Sequence, residues 1–179
     1  FQLANFKERS LFHGSKFIKE ANFFASEFAK DAEFLEAKFT GDAIFKSVKC
    51  NGALYFNKNQ DLRLGGATFS KSVFFNSSYI RYLNINGSIF TENCKIFLND
   101  CDFFRLNAKW NLIKEHVPFD EEVYIHLFNY YKGVAQFNDA DACYLEYNLK
   151  SKKESWRDSA ISHFLGITCI FGTSVWRVI

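Results

Sequence analysis

The chain carries four histidines, His13, His116, His126 and His163, and five cysteines, Cys50, Cys94, Cys101, Cys143 and Cys169. A zinc site would want such residues paired at ligand spacing, yet no H-x3-H, H-E-x-x-H or CxxC pair occurs. The odd number of scattered cysteines reads instead as small buried apolar residues in a reducing compartment. Asp61, Asp100, Asp102, Asp139 and Asp141 offer carboxylate pairs of the kind that general acid–base chemistry uses. Asp100-x-Asp102 suits a turn, however, and Asp139-x-Asp141 suits the first turn of a helix, where acids meet the positive end of the dipole. Gly65-Gly66 lacks the later Gly-Lys-Ser/Thr of a phosphate loop, and no G-x-S-x-G elbow is present. Asn76-Ser77-Ser78 and Asn86-Gly87-Ser88 match the glycosylation acceptor, but they fall in Ser/Asn-rich turns. The expectation is a non-enzyme with no catalytic residue, no cofactor and no metal.

What the residues do encode is a shape. The 179 residues suffice for a real core, and a 48% hydrophobic content excludes a disordered chain. Lys and Arg number 22 against 20 Asp and Glu, so there is neither an acidic surplus nor the basic excess of a phosphate-backbone binder. No nucleic-acid partner is expected. The composition is dominated by 23 Phe, with one Pro and no Met, and a chain opening at Phe1 reads as a piece of a longer protein. No charged-then-apolar leader opens it.

The phenylalanines are periodic. Phe6, Phe12, Phe17, Phe23, Phe28, Phe34, Phe39 and Phe45 alternate steps of six and five, an eleven-residue period. Cys50 and Tyr55 extend the series, which resumes after a break at Phe69, Phe74, Ile80, Ile85, Phe90 and Ile96. Two residues before each large position sits a small one: Ala4, Ser10, Ser15, Ala21, Ser26, Ala32, Ala37 and Ala43, then Ala53, Ala67, Ser72, Ser78, Ser88 and Cys94. Val48 and Leu83 depart from this rule. Small-x-large every five or six residues fits neither a 3.6-residue helix nor a plain alternating strand. It fits a chain that turns a corner at each step, with both marked residues pointing inward as i and i+2 do on extended backbone. Two eleven-residue units close one four-sided coil of about 22 residues, and coils then stack at about 4.8 Å. Lys30-Asp31, Gly41-Asp42 and Lys46-Ser47 are left to face solvent at the turns.

The segments Ala4-Asn5-Phe6, Ala21-Asn22-Phe23, Ala32-Glu33-Phe34, Ala37-Lys38-Phe39 and Ala67-Thr68-Phe69 resemble the A-(D/N)-(L/F)-x-x unit of the pentapeptide-repeat family, in its Phe-rich variety. The resemblance covers roughly residues 1–106. It implies a mainly β protein, a right-handed quadrilateral parallel β-helix, with a bulged coil or loop around Asn57 to Leu64 and Gly65-Gly66. A β-sandwich would lack the fixed period.

Past Leu106 the period stops, and residues 107–179 read as a helical cap or connector with an apolar tail. Pro118 precedes Asp120-Glu121-Glu122, acids suited to a first turn. Tyr124, Leu127, Phe128 and Tyr131 follow at helical spacing, with Gly133 as the end signal. Asn138 or Asp139 starts a second helix whose stripe is Ala140, Cys143, Tyr144 and Tyr147. The pair is expected to pack as a hairpin, faintly similar to one tetratricopeptide unit through Tyr131, Gly133, Ala140 and Tyr144. The tail from Ala160 to Ile179 is mostly apolar but interrupted by Gly166 and Gly172.

Some microbial members of the family join a cytoplasmic solenoid to membrane helices, in places of a two-helix potassium-channel type. Ala140-Asp141-Ala142-Cys143-Tyr144 is similar to their helical signature, and Phe171 to Arg177 to their Gly-Tyr-Gly-x-x-P-x-R junction. Phe171 and Val175 stand where that junction has Tyr and Pro. Lys150, Lys152, Lys153 and Arg157 would suit the cytoplasmic side. The resemblance therefore implies a scaffold at the cytoplasmic face of a microbial membrane, contacting it through segments beyond Ile179, with an unidentified protein partner and room for homo-oligomers. Another branch of the family inhibits topoisomerase with an acidic rod that imitates DNA. Phe1 to Phe103 hold 13 basic and 11 acidic residues, so such mimicry would fail here.

Overall fold

The structure is a computed structural model that describes residues 1–57 and 66–151. Most of the loop expected at Asn57 to Gly66, the tail from Ala160 and the junction at Phe171 to Arg177 lie outside those residues. Two compact units divide the chain, Phe1–Pro118 and Phe119–Ile179.

The first unit is a parallel β-solenoid of about four turns. Its opening coil has four two-residue strands, Asn5–Phe6, Ser10–Leu11, Lys16–Phe17 and Ala21–Asn22. Each pairs in parallel with the strand 22 residues on, so that Asn5 faces Glu27, Ser10 faces Ala32, Lys16 faces Lys38 and Ala21 faces Ala43. The eleven-residue period of the sequence is thus half a coil. Strands this short satisfy their backbone groups only through neighbouring coils, which makes the ladder along the axis the principal backbone bond network.

Side chains that point inward form columns of rings. Phe1, Phe23, Phe45 and Phe75 stack at centroid separations of 4.9, 5.0 and 5.6 Å. Phe17, Phe39, Phe69 and Phe90 do the same at 4.7, 4.9 and 5.3 Å. Phe12, Phe34 and Phe56 make a third column, and Phe6 with Phe28 begins a fourth that Cys50 continues. Within a coil the rings meet edge to face, as Phe34 does with Phe23 and Phe45 at 5.4 Å. Ala21, Ala32, Ala37, Ala43 and Ala67 are all buried beside them, leaving room for the rings to close-pack. Where Ser replaces Ala, its hydroxyl serves the turn: Ser78 Oγ donates to the Phe45 carbonyl (2.6 Å) and accepts from Val48 N (3.0 Å).

Two corners of each coil are tight turns. Ser26 N donates to Phe23 O and Ala37 N to Phe34 O, each closing a four-residue turn. The third residue of these turns is left-handed, with φ of 51° at Ala25, 57° at Glu36 and 57° at Ser47. Gly14 and Gly87 occupy the same turn position as Glu36 in other coils.

The register expected after Cys50 needs correction. Phe56 is fully buried and stacks on Phe34, whereas Tyr55 points outward, so the step from Cys50 is six, not five. Leu54, opposite Ala32, takes the small position that Ala53 was expected to fill. Val73 faces Ala43 at a separation of 30 residues, eight more than a coil. This places Phe75 in the core column and turns Phe74 outward, where it stacks on Phe97 at 4.7 Å. One coil later Ile96 stands at the small position, opposite Val73, and Leu98 at the large one. Phe6, Phe12, Phe17 and Phe90 are only half-buried. The first three belong to the opening coil, which has no coil beneath it among the described residues.

After the last strand, Asp102–Asn107, the chain stays with the solenoid. A short helix, α1 (Trp110–Ile113), buries Trp110 and Ile113, and His116 O accepts from Ile96 N (2.9 Å).

The second unit contains α2 (Glu121–Gly133) and α3 (Phe137–Ser151), packed on each other. Asp120 caps α2 by accepting from Val123 N (3.1 Å). Tyr124, Leu127, Tyr131, Ala140 and Cys143 are buried, while Phe128, Tyr144 and Tyr147 are half-buried. Gly133 does not supply the left-handed cap. Gln136 N reaches Tyr131 O and Ala135 N reaches Lys132 O, a Schellman closure with Ala135 (φ 59°) at the left-handed position. Gly133 lies two residues early, inside the helix. Among the described residues no helix is long and apolar enough to cross a membrane.

Candidate functional site

The titratable residues are bound up with the architecture. Glu33 is almost wholly buried on an outer face, where Arg9 Nε reaches Oε1 and His13 Nε2 reaches Oε2, both at 2.9 Å. Those partners come from the preceding coil, so the cluster fastens one coil to the next. His116 Nδ1 lies 3.0 Å from the Cys94 carbonyl, and its ring packs on Phe90. Asp100 occupies a left-handed turn position (φ 53°), Asp102 is exposed, and Asp139 sits in the first turn of α3. His163 and Asp61 lie outside the described residues. Among the described residues no three of His, Cys, Asp or Glu come together as metal ligands do.

Cys50, Cys94, Cys101 and Cys143 are free and buried. Burial pushes each thiol from 9.0 up to about 12. A thiol so raised is a poor nucleophile, and it links stability to pH. The folded state holds these protons more tightly than the unfolded chain, so their contribution is complete below about pH 9. It is lost as the pH climbs from there toward about 12. We expect a Cys169→Ser variant to resist iodoacetamide at pH 8 until denatured, and to melt earlier at pH 10.5 than at pH 8. Rapid alkylation of the native protein would show that these side chains do not face the core.

Among the described residues a groove of about 320 Å³ opens on the solenoid, lined by Asp31, Gly52, Ala53, Arg81, Tyr82, Phe104 and Arg105. It exists because the strand Lys49–Tyr55 is bulged. Cys50 faces Ile80 and Ala53 faces Tyr82, so Asn51 and Gly52 together oppose the single residue Arg81. The strands Tyr79–Asn84 and Asp102–Asn107 follow the same bend. Gly52 forms the floor: a Cβ there would come within 2.5 Å of Lys30 C and 2.6 Å of Asp31 N, so the underlying coil admits only glycine. Asp31 Oδ1 accepts from Ala53 N (2.9 Å), fixing one wall. On the other wall Tyr82 stands edge-on to Tyr55 (5.5 Å), and the Arg105 guanidinium lies 5.4 Å from its ring centroid. Phe104 is 74% exposed beside them.

Sequence reading missed this groove. Its residues fall between the inward positions, and only the bulge aligns them. A signal was present: the Leu-Asn pair recurs at Leu83-Asn84 and Leu106-Asn107, each preceded by an Arg-containing stretch.

Residues 1–49 match the family model for pentapeptide repeats, with nine copies. No curated protein and no solved structure matches the chain. The matched segment ends where the strand Lys49–Tyr55 begins, and later coils stack on it in parallel register through Asn107. Residues 1–49 are thus similar to pentapeptide repeats, and the first unit as a whole is a parallel β-solenoid.

Proposed function

We propose that the protein is a non-enzymatic scaffold that presents the solenoid surface to a protein partner. The observation that supports this most directly is how its chemistry-bearing groups are placed. Glu33, His13 and His116 hold coils together, and the four described cysteines are buried with raised pKa values. A stacked core of Phe rings gives a rigid body with extended faces, the geometry on which repeat proteins bind partners. The test is photocrosslinking from outward positions such as Lys16, Lys38 and Tyr79 in the full-length protein inside its own cells. One discrete adduct, absent when the solenoid is unfolded by Phe34→Asp, is the expected result. Adducts that survive unfolding, or none at all, would overturn the scaffold reading.

A more specific form of this reading makes the chain the cytoplasmic part of a microbial membrane protein, such as the regulatory domain of an ion channel. It is supported by the sequence alone, through Ala140 to Tyr144, the basic residues Lys150, Lys152, Lys153 and Arg157, and the apolar composition from Ala160. Two or more runs of about twenty apolar residues in the reading frame beyond Ile179 would carry it. A stop codon close to Ile179 would leave a soluble repeat protein that binds another protein. Inhibition of topoisomerase by DNA mimicry is the weakest alternative, because the rod carries no acidic excess.

A further inference from the structure

We propose that the bulge groove is the recognition site of this scaffold, and that it takes an extended acidic peptide segment of the partner with an aromatic residue two places from a carboxylate. This rests on the scaffold reading and names the chemistry of what that scaffold binds. Charge complementarity carries it. Arg81 and Arg105 stand diagonally across neighbouring strands, since Arg105 faces Tyr82. Among the described residues neither makes an ion pair, although the other exposed cations nearby do: Lys30 pairs with Glu8 and Lys49 with Glu27. Two unspent guanidiniums offer forked donors to a carboxylate. Arg105 is further ordered by the Tyr82 ring, which lowers the cost of holding it in place.

The rest of the groove fits a peptide better than a free anion. Phe104 and Tyr82 give an apolar shelf directly beside the guanidiniums. Alternate side chains of an extended chain point the same way, so a carboxylate and an aromatic ring two places apart can reach both. Gly52 and Ala53, which line the groove between the guanidiniums and Asp31, carry nothing larger than a methyl group. Asp31, at the opposite wall, presents a carboxylate to peptide N–H groups while its Oδ1 holds Ala53 N.

The test uses a fluorescein-labelled pentapeptide, glutamate–serine–phenylalanine–serine–glutamate, and fluorescence anisotropy with the whole chain. The proposal expects saturable binding, no binding of the lysine analogue, and at least about tenfold weaker binding to Arg81→Glu/Arg105→Glu. A Lys16→Glu/Lys38→Glu variant, with the same change in net charge on another face, should bind like the parent. Phe104→Ala should weaken binding with both arginines intact. Equal binding of the two peptides would overturn the proposal. So would an unaffected Arg81→Glu/Arg105→Glu variant of parental melting temperature, or equal losses in the Lys16→Glu/Lys38→Glu variant. None of these failures touches the crosslinking result, so a scaffold that binds by another face remains distinguishable.

Discussion

Phe34→Asp is expected to abolish cooperative folding of the solenoid. Phe34 is fully buried, stacked on Phe12 at 4.6 Å and on Phe56 at 5.2 Å, with Phe23 and Phe45 against its edges. Removing such a ring from a core costs about 3–5 kcal/mol before any charge is considered. A carboxylate in its place adds several more, because among the described residues no Lys, Arg or His is buried with the column. Together these match the whole stability of a typical domain, about 5–15 kcal/mol. Each coil holds only its neighbours, so loss of one column position should open the coils on both sides. Phe28→Leu is the contrast. Phe28 stacks on Phe6 but has Cys50 on its other side, and Leu keeps an apolar group there, so the swap costs about 2 kcal/mol, less than full removal of the ring. Far-UV circular dichroism during thermal melting separates the two. A Phe34→Asp protein that melts like its parent would mean the column does not exist.

Gly41→Ala is expected to be nearly as damaging, for a backbone reason. A Cβ at Gly41 would lie 2.4 Å from Lys19 C, 2.5 Å from Lys19 O and 2.7 Å from Glu20 N. Those atoms belong to the coil below, whose Ala21 N donates to Asp42 O at 2.8 Å. The coils can separate only by breaking that ladder, so the methyl group costs about 3 kcal/mol. At about 4 °C per kcal/mol the melting temperature should fall by roughly 12 °C. Gly14→Ala is the control. Nothing lies within 4 Å of its Cβ, and only its φ of +63° is unfavourable, worth about 1 kcal/mol. If the two variants melted together, the close approach of coils at Gly41 would be wrong.

Much of the solenoid could be read from spacing, because the same few contacts repeat in every coil. Phe23, Phe34 and Phe45 are legible one by one: each is a large residue two places after an alanine. The reading failed where a local rule had two solutions. At Phe74-Phe75 either ring could fill the column, and the eight-residue surplus before it removed the period that would have decided. Tyr55-Phe56 posed the same ambiguity, and Phe56 took the inner place while the Tyr55 ring met Tyr82 outside. Gly133 misled for a related reason. Glycine is the usual left-handed residue, yet the closure of α2 placed Ala135 there. The groove was invisible because Asp31, Gly52, Arg81 and Arg105 come from four coils, and no rule of spacing foretells where a bulge aligns them.

The central claim is the register, and nitroxide labels on adjacent coils test it most directly. Lys16 and Lys38 are exposed, 22 residues apart, and Cα partners on neighbouring parallel strands. In a Cys169→Ser background, Lys16→Cys and Lys38→Cys can be labelled while the buried thiols stay unreactive. Strand spacing puts the labelled backbones about 5 Å apart, so the doubly labelled protein should show strong dipolar broadening absent from either single label. A double-label spectrum equal to the sum of the singles would contradict the four-sided coil and everything built on it.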